Sequence, residues 1–443
     1  MAELRFSHDW LSAGADGPVF RDTSAQFAIY LDDTCLTRNE DIWSKTVRDT
    51  VLVSTYPLAL WFASSWWRLN WEPLLKPGPR PSLDWRMSHE LGAANHGFVW
   101  PRILFASDGE VINVWAAAAS TQGQSVNYLR SLDGPQVVKI SDFQRSVDNF
   151  IGAVLNRLTA VGCPDTELAA LWQLVLDDRA DPSTTRVRRL EALMGFDPEE
   201  CPERVITQAL ELQARMGDSA MSELAPVYGR RDDGVALGEI AELGATEGIR
   251  GRPQVAPTDL GPAQARAVPW QRGVEAARQL RAHIGNADEP IDNTTLLGLL
   301  GLTEDQVEHG STRSRHAAAV ATPIDDKYLN FVPRRRHPIA RRFEFSRFLA
   351  DHLREPEGCT RWLASTDLAT SRQKYQRAFA AEFLCPIRSL VDFLGDDFTE
   401  SAVEEAAEHF GVSEKTVESL LTNNEYLAAP FQGPGMPYRL AAS

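Results

Sequence analysis

The chain has 443 residues, 43% of them hydrophobic and 24% charged, which is enough apolar material for real cores and too long for a single one, so two or three domains are expected. A formal net charge of -16 opposes non-specific attraction to nucleic acid or to an anionic membrane surface, leaving a local basic patch as the only route to either. Five scattered cysteines (Cys35, Cys163, Cys201, Cys359 and Cys385) form no CxxC pair, which excludes a disulfide framework or zinc knuckle and points to reduced core thiols.

The opening "MAELRFSHDWLSAGADG" lacks a basic region followed by an apolar run, so no signal peptide is expected. The stretch "YPLALWFASSWW" (56–67) is too short to span a bilayer, so no membrane association is expected and a reducing cytoplasm is the simplest location. Residues 1–135 make one compositional unit, a Trp-rich α+β domain holding nine of the twelve tryptophans. "AQFAIYLDD" and "PRILFASDGEVINVWAAA" predict strands, and Asp108-Gly109 between two apolar runs predicts a hairpin. "LKPGPRP" (75–81) predicts a stiff loop. The tryptophans could form an aromatic binding surface, but their placement on predicted strands and short helices favours a core.

Residues 141–231 predict a helical region. Ser141 is a candidate cap for a helix whose stripe is Phe143, Val147, Phe150, Ile151 and Leu155, and Pro202 suits the start of a later helix. Residues 232–269 are rich in Gly, Ala and Pro and predict a linker. A last, mainly α domain then runs over 270–425, followed by a flexible tail over 426–443.

Four segments of that last domain carry a resemblance. They are "WQRGVEAARQLRAHIGNADEPIDNTTLLGLLGL" (270–302), "RRFEFSRFLADHL" (341–353), "RQKYQRAFAAEFLCP" (372–386) and "AEHFGVSEKTVESLL" (407–421). In order and spacing they resemble the opening helix, HExxH helix, third-ligand helix and closing element of the ImmA/IrrE family of zinc peptidases. The resemblance covers about a third of the chain and implies a zincin-like domain. It also implies that the zinc chemistry is gone. Catalytic zinc takes three protein ligands and a water, and HExxH places two His on one helical face beside a Glu base. The first ligand position holds Arg347, the base position Phe348, the second ligand position Asp351 and the third Gln373. A guanidinium cannot ligate a cation and a phenyl ring cannot take a proton from water.

Arg347 and Asp351 are four residues apart, which predicts an ion pair filling the vacated site, with Gln373 hydrogen-bonded to one of them. The alternative is a solvated stripe of Glu344, Arg347, Asp351 and Arg354 opposite Phe345, Phe348, Leu349 and Leu353. A displaced metal site drawn from His352, Asp351 and Glu382 converges poorly, because neighbouring helical residues point about 100° apart. His89 and His96 in "SHELGAANHGF" cannot share a zinc without a bend in the chain, and read as structural. Arg334, Arg335, Arg336, Arg341 and Arg342 form a candidate contact for phosphate or an acidic partner, or else a solvated loop. "FGVSEKTVESLL" looks like a helix-turn-helix, but the surrounding acidic residues would repel a phosphate backbone, so a structural turn is expected.

No P-loop, GxGxxG, GxSxG or EF-hand loop is present. The fold class expected is therefore multidomain α+β, with a pseudo-peptidase last domain, no catalytic residues, no metal and no cofactor. By family analogy the function is a protein-binding, regulatory or scaffold subunit, in antiphage defence or in mobile-element or stress regulation. The alternatives are a zinc metallopeptidase with displaced ligands and a nucleic-acid-binding regulator that uses the arginine cluster.

Overall fold

The computed structural model describes residues 1–11, 13, 17–74, 80–119, 123–229, 235–261, 268–310, 316–354, 361–428 and 436–438. Most of the 75–81 loop and of the 426–443 tail, and Cys359, fall outside them. The protein is α+β, and the sheets are small and antiparallel. Two compact units form, one from Met1–Ile206 with Gly433–Ser443 and the other from Thr207–Gln432.

The first unit is built around strand Ser24–Leu31, which pairs along its length with Leu4–Trp10 and on its other side with Val51–Ser54 and Thr34–Cys35. A second sheet joins Gln136–Lys139, Val111–Ala117 and Arg102–Ser107. The last two strands are the expected hairpin. Asp108 N–H donates to the Val111 carbonyl at 3.0 Å, the Asp108 carboxylate accepts the Glu110 and Val111 amides, and Gly109 takes a φ of 94°.

Helix Ile140–Ala160 starts two residues earlier than expected. Lys139 is its cap and makes no side-chain capping bond, so Ser141 lies inside the first turn. Phe143, Val147, Phe150 and Ile151 are buried, against rings that include Phe27, Phe62 and Phe105. Trp61, Trp66, Trp67, Trp85 and Trp100 are buried in the same unit, so most of the tryptophan set is core, whereas Trp43 is 86% exposed. Tyr438, from the expected flexible tail, is buried with Leu74, Trp85 and Leu104. Its hydroxyl meets Glu90.

The second unit does not follow the expected boundaries. The division falls inside helix Glu203–Met216, so residues 141–231 are not a region of their own. The expected linker contains helix Val235–Ala245 and strand Ile249–Gly251, and Leu237, Ile240 and Leu243 are buried. That strand pairs with Leu329–Val332, giving a sheet ordered Ile249–Gly251, Leu329–Val332, Ala319–Pro323, Leu363–Ser365. Its Gly and Ala content reflects close packing. A Cβ on Gly244 would lie 2.0 Å from the Trp362 ring.

Helices Pro269–His283, Pro338–Arg354 and Ser371–Leu384 pack together in this unit. The first and third approach closely at Gly273, where a Cβ would lie 2.4 Å from the Tyr375 carbonyl oxygen. Helices Glu400–Phe410 and Glu414–Asn423 meet through Gly411, in the left-handed conformation that ends many helices. Among the described residues no helix is long and apolar enough to cross a membrane.

Candidate functional site

From Glu344 onward, helix Pro338–Arg354 is buried on nearly every face, including Glu344, Arg347 and Asp351. A solvated charged stripe is therefore ruled out. Phe348 is fully buried and meets the Phe331 and Phe345 rings.

The enclosed ion pair exists, but with a different partner. Arg372, the first-turn neighbour of Gln373, grips Asp351 with two parallel bonds, Nε to Oδ1 at 2.7 Å and Nη2 to Oδ2 at 2.6 Å. The expected Arg347–Asp351 pair does not form. A fork presented side-on, through Nε and Nη2, from a second helix gives a bidentate geometry that matches the carboxylate, and it outcompetes a neighbour four residues away on the same helix. Arg347 turns instead to neutral acceptors. Its Nη2 donates to the Thr366 carbonyl at 2.7 Å and to Gln373 Oε1. Gln373 thus hydrogen-bonds one member of the expected pair.

These side chains also hold the edge of the sheet. Strand Leu363–Ser365 is the last in its sheet, and edge backbone groups must find partners. Ala364 N–H donates to Asp351 Oδ2 at 3.0 Å. The Ala364 carbonyl accepts from Gln373 Nε2 at 3.1 Å and Gln376 Nε2 at 2.9 Å, and Thr366 N–H donates to Gln373 Oε1 at 3.0 Å. The backbone here is already paired, so it does not offer a free ladder to an added strand.

A second layer of buried charge lies behind. Thr370 caps helix Ser371–Leu384 and donates its hydroxyl to the Glu223 carboxylate at 2.8 Å. Burial raises the Glu223 pKa, against the lowering pull of Arg372 and the Thr370 hydrogen bond. Burial, reinforced by Arg377 and Arg334, pushes the Arg347 guanidinium down to about 9.

A zinc ion does not fit this arrangement. Arg347 brings a positive charge, Asp351 is held by Arg372, and the Gln373 oxygen faces Arg347 and the Thr366 amide. The displaced alternative fares no better. His352 donates Nε2–H to the Val255 carbonyl at 3.0 Å, and Glu382 is held by Arg278 at 2.7 Å. No group of three or more His, Cys, Asp or Glu is placed to hold a metal among the described residues.

The arginine cluster is largely spent inside the unit. Arg334, with a side chain 7% exposed, bonds Glu344 at 3.0 Å and Asp367 at 2.7 Å, and Arg335 also reaches Asp367 at 3.2 Å. Arg341 donates to the Val307 carbonyl, and Arg342 to Asn293 and the Ile291 carbonyl. Arg336 also has an interaction of its own. The set is neither a free phosphate clamp nor simply a solvated loop.

In the first unit, Asn95, His96 and Gly97 all have positive φ, so the chain does bend between the two histidines. His89 is nonetheless committed elsewhere, Nδ1 to the Phe105 carbonyl at 2.8 Å and Nε2 to Glu72 at 3.0 Å.

Arg372, Glu223, Thr370 and Arg377 had not been singled out from sequence. Two of them, Arg372 and Arg377, flank Gln373 in the quoted "RQKYQR", and that cluster of charge was the available signal. Comparisons with protein-family models, curated proteins and solved structures find no match for the chain.

Proposed function

We propose that the protein is a non-catalytic, polypeptide-holding regulatory or scaffold subunit whose second unit is a degenerate zinc-peptidase domain of ImmA/IrrE type. One observation carries this reading. All four positions where that chemistry would need ligands and a base take part in packing or in an internal hydrogen-bond network, with Asp351 held on both oxygens by Arg372. Residues locked in this way stiffen a binding groove without leaving a water to activate. What supports the reading further is a groove in the second unit, lined by helices Pro269–His283, Pro338–Arg354, Ser371–Leu384 and Glu414–Asn423. A role in defence or in mobile-element or stress regulation follows from family analogy and belongs to the same proposal.

The test has two parts. Protein purified without chelator or metal-affinity resin is expected to carry zinc at a ratio near zero. A ratio near one would restore the metallopeptidase. A photo-crosslinking residue at Ala378, which lines the groove, should then capture a discrete polypeptide in the native host. The same residue at exposed Leu174 of the first unit should not, and equal capture from both would sink the reading.

A further inference from the structure

The groove has a volume of 1320 Å³ and lies wholly within the second unit. Seven Lys and Arg line it against four carboxylates, although the chain as a whole carries a formal charge of -16. All four carboxylates are already engaged. Glu344 is held by Arg334 at 3.0 Å, Asp367 by Arg334 at 2.7 Å, and Glu382 by Arg278 at 2.7 Å. Glu275 accepts from the Gln279 amide at 3.1 Å.

Two of the guanidiniums have no carboxylate partner among the described residues. Arg347 is 5% exposed, and its hydrogen bonds go to a backbone carbonyl and an amide side chain. Its Nε is buried with no partner at all. Arg377 donates to the Leu368 carbonyl at 2.7 Å. Glu344 and Asp367 attract Arg347, and Glu223 and Asp367 attract Arg377, but none of these carboxylates pairs with either directly, and the two cations repel each other. A carboxylate arriving from the groove would add the direct contact that both lack. The Arg377 fork can meet a carboxylate in two-point geometry, and Arg347, whose Nη2 hydrogens are already committed, adds a single contact.

The rest of the lining favours a polypeptide source for that carboxylate. Trp270, Val274, Phe343 and Leu420 give the walls apolar surface, which suits side chains flanking an acidic residue. The formal charge of -16 opposes any polyanion at long range, nucleic acid and acidic peptide alike, so the preference for a polypeptide rests on these apolar walls. The neighbouring edge strand is already paired, so recognition must run through side chains.

We propose that the groove takes an acidic polypeptide segment, seating an Asp, Glu or chain-terminal carboxylate on Arg347 and Arg377. This rests on the polypeptide-holding role given above and specifies its partner's chemistry.

The experiment is fluorescence anisotropy on the full chain at low salt. The probe is a fluorescein-labelled octapeptide of six Glu with one Leu and one Phe. Its all-Lys counterpart and an eight-nucleotide oligothymidylate serve as comparisons. The acidic peptide should bind saturably and the basic one should not. Arg377→Gln and Arg347→Met should each weaken binding about tenfold or more, the scale of one charge-assisted contact. Arg250→Gln, at an exposed residue outside the lining, should leave binding unchanged. If Arg347→Met fails to fold, Arg377→Gln carries the test alone. Absence of saturable binding, or affinity within twofold in the folded variants, overturns the proposal. So does displacement of the peptide by the oligonucleotide at lower concentration. Continued cross-linking from Ala378 alongside any of these results would leave the polypeptide-holding role standing and remove only its acidic partner.

Discussion

Asp351→Ala would remove one side of an ion pair whose members are 0% and 4% exposed. It takes the two-point carboxylate partner from the Arg372 guanidinium and leaves the Ala364 N–H without its acceptor. Breaking a buried pair from one side costs about 3–5 kcal/mol, because the surviving charge stays desolvated. For a unit of this size each kcal/mol moves the midpoint by about 2–4 °C, so a fall of roughly 6–20 °C is expected. Hydrogen-exchange mass spectrometry across Ser371–Leu384, with a urea titration, reads the second unit separately from the tryptophan-rich first. The decisive quantity is a coupling energy. Arg372→Met alone should be costly, yet the Asp351→Ala/Arg372→Met double variant should recover about 2 kcal/mol or more relative to additivity. Arg347→Met combined with Asp351→Ala should be additive to within about 1 kcal/mol. Coupling to Arg347 as large as that to Arg372 would refute the pairing, as would an Asp351→Ala penalty below about 1 kcal/mol.

Gly273→Ala sets two effects against each other. Helix propensity alone predicts a gain of about 1 kcal/mol, whereas the 2.4 Å approach to the Tyr375 carbonyl predicts a loss of about 1–3 kcal/mol, so thermal melts should show destabilisation. Glu223→Gln tests the buried carboxyl. Its folded pKa is raised above the ordinary 4.5, so the folded state holds a proton that the unfolded chain releases, and stability falls as pH rises above 4.5 toward the folded value. Urea midpoints at pH 5 and pH 8 should therefore show the wild type losing ground to the variant as pH rises. Parallel profiles would contradict this.

What could be read from sequence was what local chemistry decides. Asp108-Gly109 carries its own turn, and the Phe143–Ile151 stripe buries as its periodicity requires. Enclosure of Arg347 and Asp351 was expected only from the family resemblance of the surrounding segments, since periodicity alone left a solvated stripe equally open. Their partners were not legible. Helical spacing brings Arg347 near Asp351, but it says nothing of a fork arriving from a residue 21 positions away. The 232–269 stretch misled for a related reason. Small residues mark both loose connections and tight packing, and only the Trp362 ring lying over Gly244 separates the two.

The burial of Tyr438 has a consequence for biosynthesis. Leu74, Trp85 and Leu104 lie in the first part of the chain, but the tyrosine that covers them is translated only after the whole of the second unit. At about 5–20 residues per second the ribosome needs roughly 10–50 s to travel from residue 206 to 438. Throughout that interval the first unit waits with an apolar patch open to solvent. In a nascent chain this makes that face a natural point of chaperone attention. A fragment ending at Ile206 should behave as an arrested version of the same intermediate, sticky at the Trp85 face.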